Sequence, residues 1–277
     1  MNTEILPSLF VSHGAPTLAI ERNDTVTFLQ RLGAEIGRPR SILCVSAHWT
    51  TPVPTVSAAP QPETIHDFGG FPAPLYQLRY DAPGAPGLAA RVRGLLDGAG
   101  IESQIAPRRG LDHGAWIPLL LMYPEADIPV TQLSVQAHES PSAHFRMGEA
   151  LAPLRREGVL ILATGGAVHN LSRLGAEGST PEWAAQFDDW LGRKIADGSY
   201  EELMEYRRLA PHGALAHPTE DHLLPLFVAM GAGSAVIGEE QVRAESLHRG
   251  WTHGSLSMAA YRFGGRTEKS RAKGSAG

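Results

Sequence analysis

The histidines of this chain stand where short apolar runs stop. Leu9-Phe10-Val11-Ser12 runs into His13, and Ser41-Ile42-Leu43-Cys44-Val45-Ser46-Ala47 into His48. Val159-Leu160-Ile161-Leu162-Ala163-Thr164 leads through Gly165-Gly166-Ala167-Val168 to His169. Continuous apolar runs of this length read as parallel strands covered on both faces. Open α/β sheets bind ligands beyond the carboxyl ends of such strands. One histidine there is usually structural, whereas three point to a shared site. Neutral imidazole is the commonest metal ligand and also a base that titrates near neutrality. The sole cysteine, Cys44, lies inside an apolar run, so a metal site would rest on His, Asp and Glu.

Other histidines extend the set. His113 follows Asp112 in a loop, Arg108 to Gly114, that leads into an apolar helix over Ala115–Tyr123 with Pro118 in its first turn. His222 lies in Pro218-Thr219-Glu220-Asp221-His222-Leu223-Leu224-Pro225. Thr219 can cap a helix over Glu220–Met230, which would point Glu220 and His222 to different sides and leave one of them to bind an ion. His66 precedes Asp67, Phe68 and Phe71 in an irregular, proline-rich stretch over residues 50–76. Long irregular segments in compact domains are often functional, and this one reads as an ordered lid. Arg108 and Arg109 could meet a substrate carboxylate, although such pairs are more often plain surface. His138, His144, His212, His217, His248 and His253 lack a strand-end setting and read as surface or structural. There is no P-loop or dinucleotide fingerprint, no His-Glu-x-x-His motif and no Gly-x-Ser-x-Gly elbow.

The elements that position these residues alternate between strand and helix. Strands are expected over Ile5–Val11, Ser41–Ala47, Leu78–Tyr80, Ile101–Ala106, Ile128–Val135, Val159–Ala163, Ser234–Ile237 and Ser255–Phe263. Helices are expected over Thr25–Ile36 behind an Asp24 cap, Gly87–Asp97, Ser142–Arg156 behind Ser140, and Pro181–Ile195. In the last of these, Trp183, Phe187, Trp190, Leu191 and Ile195 form a packing stripe. The pattern predicts a single α/β domain over residues 1–264, with a mainly parallel central sheet flanked by helices and the active site at the strand C-terminal ends. Residues 265–277 read as a polar, disordered tail. At 43% hydrophobic, 19% charged and a net charge of -5, the 277 residues suit a soluble cytoplasmic protein with no nucleic-acid or membrane partner. No run is long enough to span a bilayer, and the first residues do not form a signal peptide.

Six blocks, in order, carry a resemblance: Ser12-His13-Gly14-Ala15-Pro16, Val45-Ser46-Ala47-His48-Trp49, Thr64-Ile65-His66-Asp67-Phe68-Gly69-Gly70-Phe71-Pro72, Asp112-His113-Gly114, Val168-His169-Asn170-Leu171 and His222-Leu223-Leu224-Pro225. Together they resemble the class III extradiol ring-cleaving dioxygenases of the 4,5-DOPA extradiol dioxygenase subgroup, over residues 7–263. The resemblance implies one divalent metal ion per chain, held by His13, His48 and His222, with His169 as active-site base and possible fourth ligand. His113 is implied as a second catalytic histidine, and His66, Phe68 and Phe71 as substrate-binding residues. More distant members of the class use two histidines and a carboxylate. An all-histidine set leaves the ion its full charge, so Zn(II) is expected in purified protein and Fe(II) for dioxygen chemistry. The implied partners are a small aromatic diol and O2, with a homo-oligomer possible. The residues alone also fit a non-catalytic binding protein on the same scaffold or a Zn-dependent hydrolase.

Overall fold

Each central strand buries alternate residues on opposite faces. Leu9, Ile42, Cys44, Leu160 and Leu162 enter one core, while Phe10, Leu43, Val45, Ile161 and Ala163 enter the other. That is why these runs are continuously apolar rather than alternating. The computed structural model describes residues 5–235 and 243–265. In chain order its strands are β1 (Ser8–Ser12), β2 (Ser41–Thr50), β3 (Thr55–Ser57), β4 (Gln104–Ala106), β5 (Val130–Val135), β6 (Val159–Gly165), β7 (Ala244–His248), β8 (Trp251–Thr252), β9 (Leu256–Ser257) and β10 (Ala260–Phe263). Among the described residues, eight strands form one sheet in the order β4-β3-β5-β2-β6-β1-β10-β7, and β8 pairs with β9. The central β5, β2, β6 and β1 are mutually parallel. On the outer sides, β3 runs antiparallel to β5 and β10 antiparallel to β1.

Helices cover both faces. They are α1 (Asp24–Ile36), α2 (Pro86–Gly98), α3 (His113–Met122), α4 (Pro141–Leu151), α5 (Glu182–Ala196), the short α6 (Tyr200–Met204), α7 (Tyr206–Leu209) and α8 (Gly213–Ala216), and α9 (Leu224–Ser234). α1 and α3 pack on the Leu9–Cys44 side, whereas α2, α4, α5 and α9 pack on the other. α3 and α9 are apolar almost all round, and nearly every residue of each is buried, as such helices require. The stripe on α5 is core, with Phe187, Leu191 and Ile195 buried against the sheet side.

Several local expectations change. β2 continues through His48 to Thr50, so His48 is carried on the strand rather than past it. α1 is capped by Asn23, whose side chain accepts from the Val26 N–H at 2.9 Å, and not by Asp24. α3 begins at His113 behind Asp112, which places Pro118 inside the helix. α4 ends at Leu151 and passes into a 3-10 turn over Ala152–Glu157, because Pro153 has no N–H to continue the α ladder. The irregular 50–76 stretch contains β3 and most of a 3-10 turn, Ala73–Gln77, and residues 78–80 form no strand. α9 starts only at Leu224, so Thr219 is not its cap and residues 219–223 form a turn. Ser234 ends α9; the strand expected there runs into residues outside the described part, as does nearly all of the expected tail. The strand expected over residues 255–263 is broken into β9 and β10.

His144 on α4 is fully buried and structural. Its Nδ1–H faces the Ser140 carbonyl at 3.0 Å while Nε2 accepts from the Gln136 N–H at 3.1 Å. Both bonds need the neutral ring, and burial lowers its pKa below the ordinary value of 6.5. The unfolded chain therefore binds the proton more readily. The associated stability is complete above about pH 6.5 and is lost as the pH falls towards the lowered folded-state value. His144→Gln should flatten the decline in unfolding free energy between pH 7 and 5 by up to about 1.4 kcal/mol per pH unit, one proton's worth. Urea titrations of both proteins across that range measure it.

Candidate active site

The parallel order β2-β6-β1 sets three strand ends side by side. His13 leaves β1 with its N–H on the Gly165 carbonyl at 3.0 Å. His48 is near the end of β2. His169 follows β6, its N–H on the Ala216 carbonyl at 3.0 Å, and Asn170 fixes the same connection by donating to the Leu215 carbonyl at 2.6 Å. Beneath it, buried His217 bonds the Ala167 carbonyl through Nε2 at 3.0 Å, a supporting role. The 219–223 turn lies across the end of β6, with Gly166 donating to the His222 carbonyl at 2.9 Å.

The imidazoles converge. His13 and His48 face each other through Nε2 at 3.0 Å. The His113 ring centre is 3.9 Å from that of His48 and 5.6 Å from that of His13. His222 is 4.9 Å from His48 and 5.5 Å from His13 by the same measure, and His169 stacks on His222 at 3.5 Å. One nitrogen from each of His13, His48 and His113 falls within 4.8 Å of the others, a set that can hold a metal ion.

For three of these rings electrostatics favours the unprotonated form. Burial, then the neighbouring imidazoles, hold His13 well below its ordinary pKa. Burial and the nearby His113 and His222 lower His48 to about 2, and burial followed by His222 lowers His169 to about 3. Lone pairs are thus available at neutral pH, and the buried Nδ1 of His13 has no hydrogen-bond partner. Carboxylates stand behind the rings. Asp221 Oδ2 is 2.5 Å from His222 Nδ1. Burial alone would raise the Asp221 carboxyl, but its bond to His222 holds it well below the usual range. Such carboxylate–imidazole pairs fix the tautomer that turns the other nitrogen to a metal. The donor set therefore fits a divalent cation.

Asp112 holds the frame of the site. It is fully buried, and its Oδ1 accepts from Ser46 Oγ at 2.6 Å and from the Ala115 N–H at 3.2 Å. Its Oδ2 accepts from Gln132 at 2.7 Å and from Arg109 at 3.2 Å. Arg109 also lies 5.1 Å over the Trp49 ring, so it is a structural clamp and not a plain surface cation. His66 bonds the Leu78 carbonyl at 3.0 Å, and its ring and that of His113 pack edge-on against Phe68. Phe71 packs edge-on against Phe68 in turn. Sequence reasoning passed over Asp221 as a partner of His222 and gave Asp112 no role. The signal for both was an aspartate immediately before the histidine.

The chain belongs to the family described as the catalytic LigB subunit of aromatic ring-opening dioxygenase, which matches residues 7–264. It is an extradiol ring-cleaving dioxygenase, so the scaffold and hydrolase readings fall away. The chain is 47% identical to a Beta vulgaris protein named 4,5-DOPA dioxygenase extradiol over 265 residues, covering 94% of this chain and 97% of that one. It is 40% identical to an Escherichia coli K12 protein of the same name, covering 95% and 97%. A crystal structure of an uncharacterized protein from Escherichia coli K12 superposes with a TM-score of 0.78 at 35% identity, covering 93% of this chain and 99% of that one. The single domain with a mostly parallel sheet is thus the fold of its relatives. Among the described residues no helix is long and apolar enough to cross a membrane.

Gly114, in the first turn of α3, makes the convergence possible. A Cβ there would lie 2.5 Å from Ser46 Oγ, 2.9 Å from His48 Cδ2 and 3.2 Å from His13 Cε1. Alanine gains about 1 kcal/mol of helix propensity over glycine, but here the rings would have to move. Gly114→Ala should lower bound metal and kcat at least tenfold while secondary structure is retained, as read by elemental analysis, turnover and circular dichroism.

Proposed function

We propose that this enzyme opens the ring of a DOPA-like catechol beside its two hydroxyl carbons, using O2 and one divalent non-haem metal ion, to give a muconic semialdehyde-type product. The observation that carries this reading is the convergence of His13, His48, His113, His169 and His222 at the C-terminal edge of a parallel sheet, with carboxylates at the Nδ1 of His222 and His113. The names of the relatives supply the catechol class.

His13 and His48 are the ligands common to every arrangement of the cluster. For the third, two physical points favour His222 over His113. His222 carries Asp221 tight on its Nδ1, and a carboxylate there stabilises a metal-bound imidazole. His113 is the first residue of α3, where the positive end of the helix dipole disfavours a cation and favours an oxygen anion. A bound divalent ion would supply Lewis acidity and open positions for the diol and O2. His169, half-buried and stacked on His222, accepts the hydroxyl proton and is the candidate fourth ligand at rest. Protonated His169 gives that proton back as the ring opens, and His113 lines the pocket beside it. Phe68 and Phe71, with His66 behind them, wall the aromatic ring and limit water. Fe(II) supports turnover, and Zn(II) suits the same nitrogens. The net charge of -5 and the lone, buried Cys44 support a cytoplasmic setting without nucleic-acid partners.

Anaerobic loading with Fe(II), followed by air and a panel of catechols including DOPA, should give stoichiometric oxygen uptake and a yellow ring-opened product. Background uptake with every catechol would overturn the substrate class. His48→Ala should lose most bound metal by elemental analysis. His169→Ala should keep most of it and lose about 10²–10⁴-fold in kcat. The reverse pattern would exchange the two roles.

A further inference from the structure

Asp67 belongs to the aromatic wall by sequence and to the histidine cluster by contact. Its Oδ1 accepts from the His113 backbone N–H at 2.8 Å and stands 3.1 Å from His113 Nδ1, off the line of a good hydrogen bond. Its Oδ2 is 3.8 Å from His48 Nδ1. The strand-like pairing that precedes it is well fixed: Ile65 N–H donates to Leu111 O and Leu111 N–H to Glu63 O, both at 2.8 Å, and Trp116 Nε1 donates to Ile65 O at 3.0 Å. One residue after Asp67, Phe68 turns its ring edge-on to His113, 5.6 Å away.

We propose that Asp67 is a positioning residue that sets the substrate wall and the imidazoles of His48 and His113 as one unit. The carboxylate draws the Nδ1–H of both rings towards itself, which leaves both Nε2 atoms facing the cluster. The same oxygen that accepts from the His113 backbone moors residues 66–72, so the wall stands where the rings are correctly turned. Asp221 does this for His222 alone and holds no wall.

The inference rests on the metal reading only for the ligand role of His48. Asp67→Asn separates its two parts. The amide oxygen still moors the His113 N–H, while the NH2 group faces His48 Nδ1 with a donor where a donor already is. Asp67→Ala removes both, and Phe68→Ala loosens the wall alone.

The test uses the full chain loaded with Zn(II), with 15N-labelled histidine, read by long-range 1H–15N correlation, together with Zn(II) affinity by chelator competition. In the parent, His48 and His113 should both carry the proton on Nδ1. Asp67→Asn should weaken Zn(II) binding by about 10–100-fold and shift the His48 resonances. With Fe(II) and a turned-over catechol, it should lower kcat with KM little changed. Asp67→Ala should also raise KM, and Phe68→Ala should raise KM with tautomers and metal affinity as in the parent. If Asp67→Ala does not fold, Asp67→Asn carries the test alone. Parent-like tautomers and Zn(II) affinity in Asp67→Asn would overturn the proposal. So would Nε2–H tautomers at His48 and His113 in the parent. Because neither readout needs turnover, a chain that opened no catechol would leave the result on Asp67 standing.

Discussion

A single buried carboxylate holds the frame of the site together. Asp112 reaches β2 through Ser46, β5 through Gln132, and the start of α3 through the Ala115 N–H, with Arg109 opposite its second oxygen. A charge removed from water this completely is tolerated only when each oxygen is satisfied, and removing one partner of such a set typically costs several kcal/mol. The network is therefore either complete or disrupted as a whole. Ser46 is two residues before His48, and Asp112 is the residue before His113. The relative placement of those rings follows from the bonds that Asp112 keeps.

Around that frame three of the histidines hold off a proton to well below the pH at which a free imidazole gains one. Packing imidazoles together without solvent makes each proton gained by one costly to the others, which is why His13, His48 and His169 all sit below their ordinary range. The glycine at position 114 removes the last steric obstacle, and Asp67 and Asp221 supply the countercharge.

Much of this was legible in the residues. Strands buried on both faces announce themselves as unbroken apolar runs, and Leu9–Ser12, Ser41–Ala47 and Val159–Thr164 each delivered a histidine to one edge. The turn bearing His222 was harder to read. Thr219 and Pro225 fit a cap and a first-turn proline, but the backbone stays in a turn until Leu224 because the His222 carbonyl is bonded to Gly166 across the end of β6. That long-range bond has no local signature. The outer strands were blurred for a related reason: β3 is three residues long and β7 is largely polar with no fully buried residue, so neither shows a burial rhythm. Asp67 escaped notice because it serves His113, a residue far away in sequence.

The arrangement of residues 66–72 has a bearing on how such an enzyme can diverge. The aromatic side chains of this segment pack on one another and on His113, while its first carboxylate is tied to the histidines. Exchanging Phe68 or Phe71 for another side chain changes the surface beside His113 and leaves the tie untouched. Inserting or deleting a residue between Leu111's partner Glu63 and Asp67 would pull the carboxylate off His113. The segment is free to vary in composition but not in register, so descendants of this scaffold can change what they accept by substitution far more readily than by changes in loop length.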